Sequence, residues 1–181
     1  MSTSMIDERS SGVWNRVIVA GVKPHQFLIS HLIEGFVVVL IQLIFISIFV
    51  CVFLSDVKTT NSIILITLTL FLVGLFGIAF GIFASVVCKT VDASLYFNQF
   101  FNFPAVFISG MLWPMEAQPK FLQFIGYLSP FSYPGVAMRS IGFKNATIEN
   151  FNVQMSFLVL IIWISIIFSL SIVFSKRNWQ E

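Results

Sequence analysis

The stretch PAVFISGMLWPMEAQPKFLQFIGYLSPFSYPGVAMR, residues 104–139, decides how this chain is organised. It starts inside an apolar segment, is broken at Pro114, and is divided again by Pro119 and Pro130. The pieces between these prolines are shorter than the roughly 20 residues that a membrane-spanning helix needs. The pattern predicts the end of a transmembrane helix, followed on the far side of the membrane by a folded, partly apolar re-entrant elbow over residues 114–150.

The composition around this stretch is that of a membrane protein. Of 181 residues, 57% are hydrophobic and only 10% are charged, whereas soluble domains carry about 25% charged residues. We therefore predict an all-α fold, a polytopic helix bundle in a lipid bilayer. A net charge of +2 without runs of like charge argues against a nucleic-acid partner.

Four apolar segments have the length of membrane spans, because about 20 helical residues at 1.5 Å each cross a hydrocarbon layer of about 30 Å. The predicted spans are approximately residues 31–54, 63–87, 92–113 and 153–174. In the second of them, Gly74, Gly77 and Gly81 recur at a spacing of three to four residues. Small residues at this spacing let two helices approach closely, so we interpret them as a packing face.

The third predicted span differs from the others because it contains amide side chains. Asn98 and Asn102 are four residues apart and therefore share one helix face, and Pro104 follows them. Polar groups within a membrane usually face a bundle interior or a water-filled cavity. We predict a substrate-cavity wall built from these amides with Phe100 and Phe103. An alternative that the residues leave open is that the amides only hold helices together.

Residues 8–22 carry apolar side chains at helical spacing and predict a short amphipathic helix. Such a helix lies at a membrane face or packs on a partner. Farther along, His31 and Glu34 stand where the first span begins, and we interpret both as interfacial residues. The residues alone do not decide between an interfacial anchor and a partner-binding helix at 8–22.

The orientation follows from the basic residues and from a glycosylation sequon. Four spans place both termini on one side, and the positive-inside rule favours the cytosol for that side. The cytosolic Lys and Arg are then Arg9, Arg16, Lys23, Lys89, Lys176 and Arg177, and those outside are Lys58, Lys120, Arg139 and Lys144. The sequon at Asn145 falls outside, where it is predicted to be glycosylated.

Motifs for catalysis are missing from the sequence. It has no phosphate-binding loop, no His-Glu-x-x-His and no Gly-x-Ser-x-Gly. We predict no catalytic residue and no metal site, so the chain is not expected to be an enzyme.

The elbow resembles that of a known family. A Ser-Gly pair ends the apolar segment, Trp-Pro-Met-Glu follows, and Ser-Pro-x-x-Tyr precedes an arginine. The residues that carry this resemblance are Ser109, Gly110, Pro114, Pro119, Pro130, Tyr133 and Arg139. In this pattern the chain resembles the C-terminal half of the permease domain of type-2 ABC exporters of the ABCG and ABCH kind.

The resemblance implies further partners and roles. The helix at 8–22 is expected to couple to a nucleotide-binding domain. Its coupling residues would be Glu8, Arg9, Gly12 and Arg16. No cofactor is expected in this chain, since ATP and magnesium would bind to that partner domain. Complete relatives have six spans and work as dimers of permease domains. The resemblance therefore implies either a fragment or truncated product, which we favour, or a chain whose missing parts, the nucleotide-binding domain and the remaining spans, come from another, full-length chain.

Two functions remain as hypotheses. The first is the transmembrane part of an ATP-driven exporter of lipids or other hydrophobic molecules, located by default in the plasma membrane. The second is a non-transporting tetraspan scaffold that acts through helix–helix contacts, with the glycine face of the second span as its interface.

Overall fold

The computed structural model describes residues 2–10, 16, 19–21, 24–53, 60–110, 117–144 and 146–178. The elements within these residues are seven α-helices, as the all-α prediction requires. They are α1 (Ser2–Ser10), α2 (Pro24–Phe53), α3 (Thr60–Val87), α4 (Val91–Ile108), α5 (Lys120–Leu128), α6 (Ser132–Lys144) and α7 (Phe151–Asn178).

Three of the described helices are long and apolar enough to cross a membrane. Their qualifying segments are Ile29–Val50 in α2, Asn61–Val87 in α3 and Phe151–Phe174 in α7. They coincide with the first, second and fourth predicted spans. The prediction of a membrane helix bundle is therefore confirmed.

The third predicted span corresponds to α4, which is shorter than expected. The sequence predicted a span to residue 113, but the helix ends at Ile108 because Gly110 has a φ of 78°. This left-handed conformation is strained for residues with a side chain and typically ends a helix. Helix α4 has 18 residues and contains Pro104, and its amides lower its hydropathy. A fourth crossing stays a prediction.

Helix α3 is the centre of the bundle. Of its candidate span 39% is buried, compared with 17% for the spans in α2 and α7. It contacts α1, α2, α4, α6 and α7 and contributes to all three clusters of buried apolar side chains. Its buried hydroxyls bond to carbonyls of the same helix: Thr69 donates to Leu65 O at 2.8 Å and Ser85 to Ile82 O at 2.7 Å.

The neighbours of α3 run in two directions. Helix α7 runs parallel to it, since Val153 shares a cluster with Leu65 and the ring of Phe174 lies 6.2 Å from that of Phe83. Helix α2 is antiparallel, because its late residue Ser47 lies with its Oγ 3.4 Å from Oγ1 of the early residue Thr67.

Helix α4 is also antiparallel to α3, and aromatic rings form the contact. The ring of Phe97 lies 5.9 Å from that of Phe80 and 6.3 Å from that of Phe83, and the ring of Phe101 lies 4.8 Å from that of Phe80. Offset and tilted ring pairs at these distances add about 0.5–1.5 kcal/mol each beyond burial.

The described part of the predicted elbow contains two helices. Helices α5 and α6 are joined by a turn at Ser129–Phe131, in which Ser129 N donates to Gly126 O at 2.9 Å. The Ser132 hydroxyl also donates to Gly126 O. The ring of Phe131 packs edge-on against Phe76 at 5.4 Å, so the turn contacts the middle of α3.

The N-terminal region differs from the prediction in its first element. Helix α1 begins at Ser2, upstream of the predicted start at Glu8, and it packs against α3 and α4. Met5 is buried there, and its sulfur lies 3.0 Å from the Ser85 hydroxyl oxygen. The predicted helix at 8–22 lies largely outside the described residues.

Candidate functional site

The two ends of the stretch that decides the fold meet in the structure. Nη2 of Arg139, on α6, donates to Gly110 O at 2.8 Å. Gly110 directly follows Ser109, the C-cap of α4, whose backbone N–H bonds to Ala105 O. The bond therefore ties α6 to the end of α4, and we call it the elbow joint.

The other described elbow residues surround this joint. Pro119 directly precedes α5, and Pro130 is buried in the turn between α5 and α6. Tyr133 is half-buried on α6, and its ring lies 6.3 Å from that of Tyr127 on α5. Pro114 lies outside the described residues. The sequence analysis named most of these residues, but it did not predict their contacts.

The predicted cavity-wall amides line one face of α4. Nδ2 of Asn98 donates to Ser94 O at 2.7 Å, and Nδ2 of Asn102 donates to Asn98 O at 2.9 Å. Both residues are half-buried. The donors are thus satisfied within the helix, while Oδ1 of Asn102 has no partner among the described residues. We call Asn98 and Asn102 the amide row.

The two aromatic residues predicted for the same wall lie elsewhere on α4. Phe100 is 82% exposed and Phe103 is 60% exposed. At about 100° per residue, Phe100 lies opposite the amide row, and Phe103 lies about 100° around the helix from Asn102. The structure therefore does not bring the amides and these rings together within one copy of the chain.

Near the predicted coupling region, a histidine bridges two helices. His31 on α2 is 3% exposed. Its Nδ1 lies 3.0 Å from Oε2 of Glu34 and its Nε2 lies 3.3 Å from Oε2 of Glu8 on α1. The Nδ1 contact is a hydrogen bond, whereas the Nε2 contact is within ion-pair distance but does not have hydrogen-bond geometry. The contact attaches α1 to the start of the first span.

Sequence reasoning missed this bridge. The spacing of His31 and Glu34 indicates a pair on one helix face, but Glu8 comes from a separate helix. The other predicted coupling residues are less informative. Arg16 is exposed, the position of the Arg9 side chain is not described, and Gly12 lies outside the described residues.

Two further predictions concern modification and metal binding. Asn145 lies outside the described residues, so its glycosylation stays a prediction. Among the residues that the structure describes, no cluster of His, Cys, Asp and Glu has the arrangement of a metal site.

Comparison with known proteins gives a family. A family model described as "ABC-2 family transporter protein" matches residues 1–173. ABC transporter G family member 23 of Dictyostelium discoideum is 28% identical over 174 residues, which is 96% of this chain and 24% of the relative. Linearmycin resistance permease protein LnrN of Bacillus subtilis (strain 168) is 29% identical over 128 residues, 70% of this chain and 32% of the relative.

A third relative is the probable multidrug ABC transporter permease YbhR of Escherichia coli (strain K12). It is 24% identical over 148 residues, 82% of this chain and 40% of the relative. The chain thus spans less than half the length of each of these relatives. No solved structure matches it significantly. Because the family model covers nearly the whole sequence and the helix bundle agrees with it, the chain belongs to the ABC-2 family of transporter proteins.

Proposed function

We propose that this chain forms part of the transmembrane pathway of an ATP-driven ABC exporter of hydrophobic molecules, including lipids. The family match supports pairing with a nucleotide-binding ATPase domain. Two relatives are described as a linearmycin resistance permease protein and a probable multidrug ABC transporter permease, which supports a permease role. ATP and magnesium would bind on the partner domain.

The observation that carries this proposal is the amide row. Its half-buried acceptor, Oδ1 of Asn102, has no partner among the described residues, although it belongs to a helix rich in Phe. An unpaired polar group at membrane depth is costly and needs a partner or water. A transport pathway between two copies of the bundle supplies both. The exposed Phe100 and Phe103 would then contact hydrophobic cargo or the second copy.

Transport by this architecture needs α4 as a fourth crossing. We place α4 across the membrane because it packs antiparallel to α3 through Phe97 and Phe101. Its length of 18 residues corresponds to about 27 Å. Both termini then lie on one side, which the positive-inside rule makes the cytosol. The elbow lies on the outer side of the plasma membrane, with its turn reaching the middle of α3.

The topology is tested with single cysteines in sealed vesicles. Ser2→Cys and Asn178→Cys are introduced separately into a chain without Cys51 and Cys88, and a membrane-impermeant maleimide is added from one side. Four crossings require both positions to react from the same side. Reaction from opposite sides would leave three crossings and refute the placement of α4.

Transport itself is tested by exchanging one amide at a time. The chain is co-produced with its ATPase partner, and substrate-stimulated ATP hydrolysis is measured for Asn102→Leu and for Gln99→Leu. Gln99 lies on the same helix but off the amide row, so it is the matched control. We expect Asn102→Leu to change the stimulation several-fold while Gln99→Leu keeps it. Equal stimulation of ATP hydrolysis in the two variants would favour the scaffold function, in which the amides do not contact a transported substrate.

The coupling role is proposed for the N-terminal residues. Arg16 is exposed, and Arg16→Glu should abolish stimulation of the ATPase partner without affecting membrane insertion. Lys120→Glu, at the elbow, is the control that reverses a charge far from the partner domain. Full stimulation of the Arg16→Glu protein would refute the assignment of Glu8, Arg9, Gly12 and Arg16 to coupling.

A further inference from the structure

A groove of about 370 Å³ runs between α2 and α3, and all of its lining residues belong to these two helices. On α2 it extends from Gly35 to Gln42, and on α3 it passes Gly74 and Gly77. Seven residues at 1.5 Å each correspond to about 10 Å, or two turns of helix. The groove is therefore long enough for two turns of another helix to lie along it.

Glycines make this groove open enough for a helix backbone. A Cβ added at Gly77 would meet nothing within 4 Å, whereas a Cβ at Gly74 would meet the side chain of Val39. The glycine face of α3 is thus divided: Gly74 packs on α2, and Gly77 is exposed. Small residues at a helix surface let a second helix approach closely in a membrane. The open position at Gly77 is a place for such an approach.

A carboxamide lies in the same groove at membrane depth. Gln42 is close to the middle of the candidate span Ile29–Val50. It is exposed and has no hydrogen-bond partner among the described residues. Its exposed neighbours on α2, Ile41 and Phe45, are apolar, which fits a surface facing lipid or protein rather than water.

The chemistry of Gln42 decides between these two surroundings. An amide that stays unpaired in hydrocarbon is costly, and acyl chains have no group that donates or accepts a hydrogen bond. The backbone groups of a membrane helix are bonded within that helix, so its side chains supply the bonds to neighbouring helices. The groove therefore fits a helix with a polar side chain better than it fits lipid.

We propose that the groove between α2 and α3 binds a further transmembrane helix. The backbone of this helix would pack over Gly77, and one of its side chains, a Ser, Thr, Asn or Gln, would hydrogen-bond to Gln42. The relatives compared above have ample sequence for additional helices, because this chain covers only 24%, 32% and 40% of their lengths. The proposal needs only that α2 and α3 span a membrane, and it does not depend on transport.

The test measures association of the full chain with a model transmembrane peptide in lipid vesicles, by Förster energy transfer. The donor is attached at Asn178→Cys in a chain without Cys51 and Cys88, and the acceptor is attached to the peptide. The probe is a Leu/Ala helix of about 20 residues with one central Asn, diluted in lipid so that it does not associate with itself. The reference peptide has Leu in place of Asn.

We expect the Asn peptide to associate at least about threefold more tightly than the Leu peptide, because one hydrogen bond between membrane helices contributes roughly that factor. Equal association of the two peptides would overturn the pairing with Gln42. Absence of association with either peptide would overturn the proposal as a whole and leave lipid as the occupant of the groove.

Variants locate the binding surface. Gln42→Leu should remove the preference for the Asn peptide, whereas Gln99→Leu removes an exposed amide of α4, outside the groove, and should keep it. Gly77→Leu places a side chain in the open part of the groove and should weaken association of both peptides. A preference that survives Gln42→Leu, or association that is unchanged by Gly77→Leu, would show that the peptide binds elsewhere and would refute the proposal.

Discussion

The packing of α2 on α3 predicts different effects for two neighbouring glycines. A Cβ atom added at Gly74 would lie 2.6 Å from Cγ1 and 3.1 Å from Cγ2 of Val39 on α2. Val39 is buried and β-branched, so its side chain has little rotamer freedom on a helix. A Cβ added at Gly77 would meet nothing within 4 Å, because this residue faces a groove between α2 and α3.

The expected size of the difference follows from two terms. Overpacking a well-filled contact costs about 1–3 kcal/mol. Replacing Gly by Ala inside a helix gains up to about 1 kcal/mol, but this gain is shared by the two positions and cancels when they are compared. Gly74→Ala should therefore lower the free energy of unfolding by about 1–3 kcal/mol relative to Gly77→Ala.

The assay is unfolding by SDS in mixed micelles, followed by tryptophan fluorescence. A double-mutant cycle tests whether Val39 causes the loss of stability, because Val39→Ala removes the methyl groups that the new Cβ would contact. In the Val39→Ala background, Gly74→Ala should cost no more than Gly77→Ala does. The reasoning is refuted if the two glycine variants are equally stable, or if the penalty at Gly74 persists after Val39 has been shortened.

Three further predictions concern other contacts. His31→Leu leaves the Glu8 and Glu34 carboxylates without their shared partner. Amide hydrogen exchange in residues 2–10 should therefore become faster than in a Ser30→Ala control. Unchanged exchange would show that the contact of His31 with Glu8 does not stabilise the position of α1. Burial raises the pKa of the Cys88 thiol, so less thiolate is present at a given pH below that value. In a Cys51→Ser background, Cys88 of the folded chain should therefore react with maleimide more slowly at neutral pH than Cys88 of the unfolded chain. The two labelling rates should converge as the pH rises. A ratio of the two rates that does not change with pH would contradict this prediction. Phe131→Ala removes the edge-on contact with Phe76 and should lower the free energy of unfolding by about 1–3 kcal/mol, less than for a fully buried ring. Phe121→Ala, on the exposed face of α5, should have almost no effect in the same measurement, and similar losses for both would argue against the elbow packing on α3.

Hydropathy was sufficient to predict most of the bundle. The spans in α2, α3 and α7 are apolar on all sides because lipid or another helix surrounds them, and no other physical signal was needed. Hydropathy is less informative for α4, because its amide side chains lower the mean hydropathy of the helix. Hydropathy does not register that these amides bond to carbonyls of their own helix. The early end of α4 depends on the conformation of Gly110, which the sequence allows but does not require.

The elbow shows why local structure was harder to predict than the spans. Pro134 and Gly135 lie in the first turn of α6, a helix that the sequence analysis did not predict. Proline is tolerated in the first turn of a helix, where its missing N–H is not needed, and α6 begins at Ser132. The contacts of Arg139 with Gly110 and of Glu8 with His31 join residues that are distant in the chain. Such pairs cannot be read from composition or spacing in a single sequence.

The hydroxyl bonds inside α3 have a consequence for biogenesis. During synthesis α3 emerges from the ribosome before α4, α6 and α7, which later cover much of its surface. Thr69 and Ser85 do not need those partners, because each already donates to a carbonyl one turn earlier. Helix α3 can thus leave the translocon for lipid alone. The aromatic and aliphatic surface of α3 that faces α7 stays exposed until α7, the last of the described helices in chain order, has been inserted.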